Sequence, residues 1–315
     1  MKIIKYISIF LLAAFVSVSC SKEDIEYGGA VPLTDEAEFQ LHYMVPVTTA
    51  STNDIFKVDL NGKTITNNTT PLSVYNVVPT SIGRFFTTKA GTVNLKLYQS
   101  TDLNLIYDKA VTLGSGKQNV VVYDFDKPPV VFDNGYPYPY PNDHTSYDTD
   151  TIAYVKFYNF MYDSPGVATT LKIQYQYQYT LHPLYTLDDE AKGKIPSGKK
   201  VGDATGDATL SAWLNLGKAV GFGETTGWQV IPVKKATYVS QGAARLDYRV
   251  IVTAENGGIP GVNVVDDGTW RLIRGSGTAT YADYWTATIG RRYHHFFRGH
   301  RTVAPLIDIS QKEAL

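Results

Sequence analysis

Apolar side chains recur at every second position along most of this chain, and that period selects strands and excludes long helices. Phe56, Val58 and Leu60 alternate with Lys57 and Asp59, and Asn61-Gly62 follows as a pair whose residues both tolerate positive φ, the mark of a two-residue hairpin turn. Val93, Leu95 and Leu97 alternate with Asn94 and Lys96. Further strands are predicted at Leu72 to Val78, Leu105 to Thr112, Val120 to Phe125, Leu246 to Thr253, Trp270 to Arg274 and Thr278 to Ile289. Gly114-Ser115-Gly116 and Gly257-Gly258 mark turns between them. No sustained helical periodicity interrupts the pattern. Short strands at close spacing point to antiparallel β-sandwiches and away from a parallel sheet with crossover helices.

Such strands must be held by packing, because Cys20 is the only cysteine and no intramolecular disulfide can form. The 23 Tyr, 13 Phe and 4 Trp suit that requirement, since aromatic side chains bury large areas and favour strands. Cys20 itself marks a processing point. Lys2 and Lys5 form a positive start, Ile7 to Val16 is an apolar run too short to span a bilayer, and Ser17-Val18-Ser19 leads into the cysteine. This order of features resembles the lipobox of bacterial lipoproteins, which implies a signal peptide over residues 1–19 and acyl chains on Cys20. Each buried methylene of such chains contributes about 0.8 kcal/mol, so several hold the protein at a membrane where one would not.

The chain has 29 basic and 30 acidic side chains, and loss of Lys2 and Lys5 leaves a small acidic excess. No field for nucleic acid is present. Without residues 1–19 the chain is near the size at which one core stops growing and chains divide, so two domains are expected. The boundary shows in composition. Lys127-Pro128-Pro129 closes one strand-rich block, and Gly135-Tyr136-Pro137-Tyr138-Pro139-Tyr140-Pro141 reads as an extended, semi-rigid spacer, because its prolines cannot donate to a ladder. The pattern then restarts: Ala37-Glu38-Phe39-Gln40-Leu41-His42-Tyr43 aligns with Ala153-Tyr154-Val155-Lys156-Phe157-Tyr158-Asn159, and each is followed by a second alternating strand, Ile55 to Leu60 and Leu171 to Tyr179. A tandem repeat of one sandwich follows from that alignment.

A lipobox, an acidic cluster at Ser21-Lys22-Glu23-Asp24-Ile25-Glu26 and two strand-rich repeats together resemble the Bacteroidota surface lipoproteins that carry tandem immunoglobulin-like domains of unassigned function. The resemblance implies a fold class: all-β, with two tandem immunoglobulin-like antiparallel β-sandwiches behind a lipidated N-terminal tether. It also implies a protein lipid-anchored in the outer membrane and facing the cell exterior. The expected boundaries are a tether over 20–36, a first sandwich over 37–132, a spacer over 133–151 and a second sandwich over 152–315. A long insertion interrupts the second sandwich near 182–227, where Gly202-Asp203-Ala204-Thr205 repeats as Gly206-Asp207-Ala208-Thr209. It reads as a mobile surface loop. Thr186-Leu187-Asp188-Asp189 can cap one short helix within it.

Catalytic signatures are scarce. No G-x-S-x-G elbow occurs, and Gly114-Ser115-Gly116-Lys117 lacks the upstream glycine and the following hydroxyl residue of a phosphate loop. Asp188, Asp189 and Glu190 are neighbours on a loop and do not face one another as paired carboxylates would. Asp203, Asp207 and Asp266-Asp267-Gly268 lack calcium-loop spacing and read as turn aspartates. His294 and His295 project to opposite faces of a strand and cannot share one ion, so no metal site and no cofactor are expected. Arg291, Arg292, Arg298 and Arg301 surround them, either as anion-binding forks or as charges protecting a solvated edge strand.

The expected role is non-catalytic: a surface binding or scaffold module, with a glycan or another surface protein as partner besides the membrane. A fimbrial or other surface-assembly subunit is the alternative. In many fimbrillins an arginine-specific protease removes an N-terminal strand, and here the first arginine after Cys20 is Arg84, deep in the first block. The candidate ligand residues are Tyr175, Tyr177 and Tyr179, which share one face of a long strand with Leu171 and Ile173, together with Arg291 and Arg292. Exposed tyrosines there would stack on sugar rings, whereas buried ones would simply continue the core. Asp150-Thr151-Ile152 resembles a short bacterial O-glycosylation sequence, with Thr151 as its acceptor.

Overall fold

A computed structural model of the chain describes residues 35–66, 69–80, 84–133, 151–240, 242–252, 262–264, 270–273 and 281–314. The expected signal peptide, Cys20 with its acidic cluster, the expected tether up to Thr34 and the interior of the predicted spacer lie outside the described residues, while Glu36, the last residue assigned to the tether, already opens a strand. Within 35–315 the strands form four sheets in two sandwiches. In the first, β1 (Glu36–Tyr43) lies between β4 (Val77–Val78) and β8 (Gly116–Val122), β8 pairs with β9 (Val130–Asp133), and β5 (Phe86–Lys89) also pairs with β1. The opposing sheet runs β3 (Lys63–Thr66), β2 (Ile55–Leu60), β6 (Gly91–Gln99), β7 (Asn104–Leu113). Phe39 and Leu41 of β1, Val58 of β2, Leu95 and Leu97 of β6 and Val120 and Val122 of β8 fill the space between them.

The second sandwich repeats this wiring. β10 (Thr151–Ser164) lies between β11 (Val167–Ala168) and β21 (Arg292–His300), β21 pairs with β22 (Asp308–Ala314), and β15 (Thr225–Val233) also pairs with β10. In the opposing sheet β12 (Ile173–Leu181) and β17 (Ala243–Val252) pair centrally. β13 (Thr209–Leu210) and β14 (Leu214–Asn215) flank β12, while β16 (Tyr238–Ser240), β19 (Trp270–Leu272) and β20 (Ala282–Thr288) flank β17, and β18 (Val262–Val264) pairs with β19. β1 and β8 pair in parallel, as do β10 and β21, and each late strand then turns back into an antiparallel partner. The aligned openings at Ala37 and Ala153 thus occupy equivalent places. The sheets are antiparallel as expected except at these two parallel joints, which periodicity cannot reveal because it carries no strand direction.

The central β1–β8 and β10–β21 sheets turn their second faces toward each other. Met44, Val121, Tyr158, Phe160 and Phe296 form a third buried cluster, flanked by Tyr123, Val130 and Phe132. Phe132 meets Tyr158 with ring centroids 4.9 Å apart, and Tyr123 stacks on Phe160 at 5.2 Å. Four sheet layers result, and the two inner ones are covered on both sides. This explains why Arg292-Tyr-His-His-Phe-Phe-Arg-Gly-His300 is buried at every position. A strand covered on both faces loses the alternation that a half-solvated one shows. The Arg/His-rich run is therefore not a solvated edge strand but the second strand of an interior pair.

Three local differences have simple causes. A bulge in the β2–β6 pairing between Ile55 and Lys57 brings Ile55, not Phe56, into the core beside Val58 and Leu60. The predicted strand at 72–78 is a β-strand only at Val77–Val78, with Leu72 bridging Ile55. The insertion carries structure: β13 and β14 extend the outer sheet beside β12, and α1 (Leu187–Ala191) begins at a Thr186–Asp189 capping box. The hairpin at Asn61-Gly62 has the expected positive φ values of 50° and 82°.

Candidate functional site

The buried polar groups converge at the junction of the two inner sheets. His42 Nε2 lies 2.8 Å from Asn119 Oδ1, and Asn119 Nδ2 lies 3.2 Å from His294 Nε2. The amide nitrogen must donate to the His294 ring, which places the imidazole proton on Nδ1, 2.9 Å from Tyr158 Oη. His42 then donates from Nε2. Burial pushes the His42 pKa down to about 4 and holds His294 well below the usual histidine range, with the neighbouring His42 and Lys156 adding to the effect. Both rings are neutral at pH 7, and the row His42–Asn119–His294–Tyr158 is a neutral hydrogen-bonded chain crossing from one sandwich to the other.

Lys156 sits beside that row, with its ammonium 5.6 Å from the Phe132 and Tyr158 ring centres and 5.8 Å from that of Trp228. Its Nζ donates to the Asp133 carbonyl at 3.1 Å, and burial lowers its pKa to about 8. Nearby, the Arg298 guanidinium lies 3.3 Å from the Tyr75 ring centre and its Nε donates to Ser310 at 2.8 Å. Lys312 Nζ donates to Asn76 Oδ1 at 2.6 Å. These contacts join β21 and β22 to the segment just before β4.

The candidate ligand residues fall in three places. Tyr175, Tyr177 and Tyr179 are all buried in the second core. The Tyr175 ring lies between Phe157 at 5.1 Å and Tyr248 at 5.3 Å, and Tyr179 Oη donates to the Pro232 carbonyl at 2.5 Å. These rings continue the face set by Leu171 and Ile173, and no sugar can stack on them. Arg292 is buried on β21, whereas Arg291 is exposed and pairs with Glu313 at 2.5 Å. The structure does not bring these arginines to the tyrosines as one surface. Thr151 opens β10, but its side chain lies outside what is described.

His294 and His295 do point to opposite faces: His294 to the junction, His295 into the second core against Trp285 at 4.7 Å and Tyr175 at 5.8 Å. Asp189 caps α1, Asp188 pairs with Lys192, and Asp203 accepts the Lys200 backbone N–H at 3.0 Å, so these acids serve local structure. No group of three or more metal-ligating side chains occurs among the described residues. No helix among them is long and apolar enough to cross a membrane.

A second cluster lies on the outer face of the outer sheet in the second sandwich. Cross-strand partners share a face, and Asn215 pairs with Gln176, which pairs with Arg249; Gln178 pairs with Asp247, which pairs with Tyr284. Trp213, two residues before Asn215, belongs to the same face, and the Arg249 guanidinium lies 4.2 Å from its ring centre. Arg249 Nε donates to Gln176 Oε1 at 2.7 Å, and Gln176 Nε2 donates to Asn215 Oδ1 at 2.8 Å. The Arg245 guanidinium lies 3.9 Å from the ring centre of Tyr284, which is 54% exposed, and Arg245 Nε pairs with Asp247 at 3.3 Å. The alternation of Gln174, Gln176 and Gln178 is legible in sequence, but which strands lie beside it is not.

No protein-family model and no curated protein matches the chain. Among solved structures, a candidate cell adhesion protein of Bacteroides fragilis is similar at 10% identity and a TM-score of 0.26, covering 89% of this chain and 98% of its own. A candidate cell adhesion protein of Bacteroides eggerthii is similar at 9% identity and a TM-score of 0.20, covering 89% and 96%. The TIE protein of Bacillus anthracis is similar at 8% identity and a TM-score of 0.23, covering 85% of this chain, which spans about a third (34%) of its length. Similarity at this level transfers neither fold nor role.

Proposed function

We propose that the protein is a lipid-anchored, outer-membrane surface module that binds a glycan and does not catalyse. The observation that carries the non-catalytic part is the placement of the titratable groups. His42, His294 and His295 are 0–1% exposed and Lys156 is 5% exposed, all packed between sheets where no substrate reaches them. The hydrogen bonds of His42, His294 and Lys156 and the ring contacts of all four hold layers together instead. The fused inner sheets make a stiff support, and the polar-aromatic outer face of the second sandwich remains on the surface to meet a ligand.

The anchoring part rests on the lipobox at Cys20. Wild-type protein is expected to partition into detergent with the membrane fraction, and Cys20→Ala to be soluble or to retain its signal peptide. Equal membrane association of a signal-cleaved Cys20→Ala protein would refute the anchor. Assembly by strand exchange after cleavage at Arg84 is less compatible with the fold. Cleavage there would remove β1 to β4, and with them Phe39, Leu41 and His42 from the core and junction.

A further inference from the structure

We infer that the outer face formed by β14, β12, β17 and β20 is a platform for an uncharged oligosaccharide, with Trp213 and Tyr284 as its two stacking rings. This rests on the surface-binding reading above and gives that binding a place and a ligand class. Trp213 stands just before β14 and Tyr284 on β20, with β12 and β17 between. Three strand spacings, about 14 Å, separate the backbones that carry them, and the rings lean inward over Arg249 and Arg245 of β17, a face that linked sugar rings would cover. Each ring lies against a guanidinium, Trp213 on Arg249 and Tyr284 on Arg245. Held rings lose little freedom when a ligand arrives, which favours binding.

The face around the rings is made of hydrogen-bonding groups. Gln176 and Asn215 supply amides, Asp247 a carboxylate and Thr286, paired with Arg245, a hydroxyl. Vicinal hydroxyls match such groups, while the apolar face of a sugar ring matches an exposed aromatic. Charge favours an uncharged ligand: Asp247 offsets Arg245, and Arg249 is buried beneath the indole. A peptide is a poorer match. Strand addition uses a sheet edge and not its face, and the exposed Leu214 pairs across strands with Tyr177 and so shares that residue's side, opposite to Gln176.

The test is binding of the full-length protein to an array of neutral gluco-, manno-, galacto-, xylo- and N-acetylglucosamine oligosaccharides with acidic, uronate-bearing ones beside them, followed by titration of the best member. Trp213→Ala and Tyr284→Ala are each expected to weaken binding about tenfold or more with unchanged melting temperature, and Trp213→Phe to keep most of it. Ligand is also expected to change the tryptophan emission of wild type and not of Trp213→Phe. Binding that survives both alanine variants overturns the site and leaves the glycan reading standing. Failure of wild type to bind any neutral member overturns both, as does preference for acidic oligosaccharides for the ligand class.

Discussion

His295 shows how a single residue can lower stability inside a well-packed core. It is fully buried among the rings of Tyr175, Tyr248, Trp285 and Tyr293, and neither ring nitrogen has a hydrogen-bond partner among the described residues. An unpaired buried polar group costs about 1–3 kcal/mol. Burial also lowers its pKa from 6.5 to about 3. The unfolded chain therefore binds a proton more readily than the folded one, and the stability present above pH 6.5 is lost as pH falls toward 3. His295→Phe keeps an aromatic ring and removes both penalties. Its melting temperature at pH 7 is expected to rise, and its decline between pH 6.5 and 4 to be shallower than that of wild type in calorimetric scans. A lower melting temperature would show that the imidazole is paired in solution.

At the scale of elements, β21 and its turn into β22 show why an apolar or charged residue type does not reveal an environment. Gly299, near the end of β21, has φ +99°, and a Cβ there would lie 2.4 Å from the Leu306 carbonyl oxygen. Only glycine permits this close approach, which brings His300 beside Leu306 and Ile307. Gly299→Ala is expected to cost about 2–3 kcal/mol or more, measured by urea denaturation, and to loosen β22 first. By residue type the four arginines read either as anion-binding forks or as charges on an edge strand. For two of them burial and close partners exclude the edge reading: Arg298 reaches Ser310 and Asp308, and Arg301 reaches Asp163 at 2.7 Å. Asp163 lies 138 residues from Arg301, so that pairing could not be read in advance.

For the whole molecule the junction between inner sheets matters most. Asn119 serves His42 and His294 together, and removing its amide leaves two buried nitrogens unpaired. Asn119→Leu is expected to cost about 2–4 kcal/mol at pH 7. Wild type is expected to melt in one calorimetric transition, and Asn119→Leu to separate the sandwiches into two; two transitions in wild type would show that the junction does not couple them. The same row confers acid sensitivity. With the His42 pKa lowered from 6.5 to about 4, its contribution is complete above pH 6.5 and withdrawn as pH falls through 4, amounting to about 3 kcal/mol. His294 acts in the same direction. A stability that stayed flat from pH 7 to 4 would contradict this burial.

The period of two, the turn pairs and the lack of helical periodicity determined an all-β sandwich from sequence alone, because side-chain alternation depends only on local backbone geometry. The recurrence of the Ala37 strand at Ala153 likewise marked a repeated unit. The capping box at Thr186 was legible for the same reason, since its partners lie three residues apart. What faces each strand belongs to the tertiary structure. The tyrosines of β12 share a face in any register, yet only the sheet packed over them decides between core and surface. The junction row needs His42, Asn119, Tyr158 and His294, drawn from four strands in two sandwiches, and the outer platform needs β14, β12, β17 and β20 side by side. Contacts so distant along the chain are set by how whole sheets stack, and no local pattern encodes that.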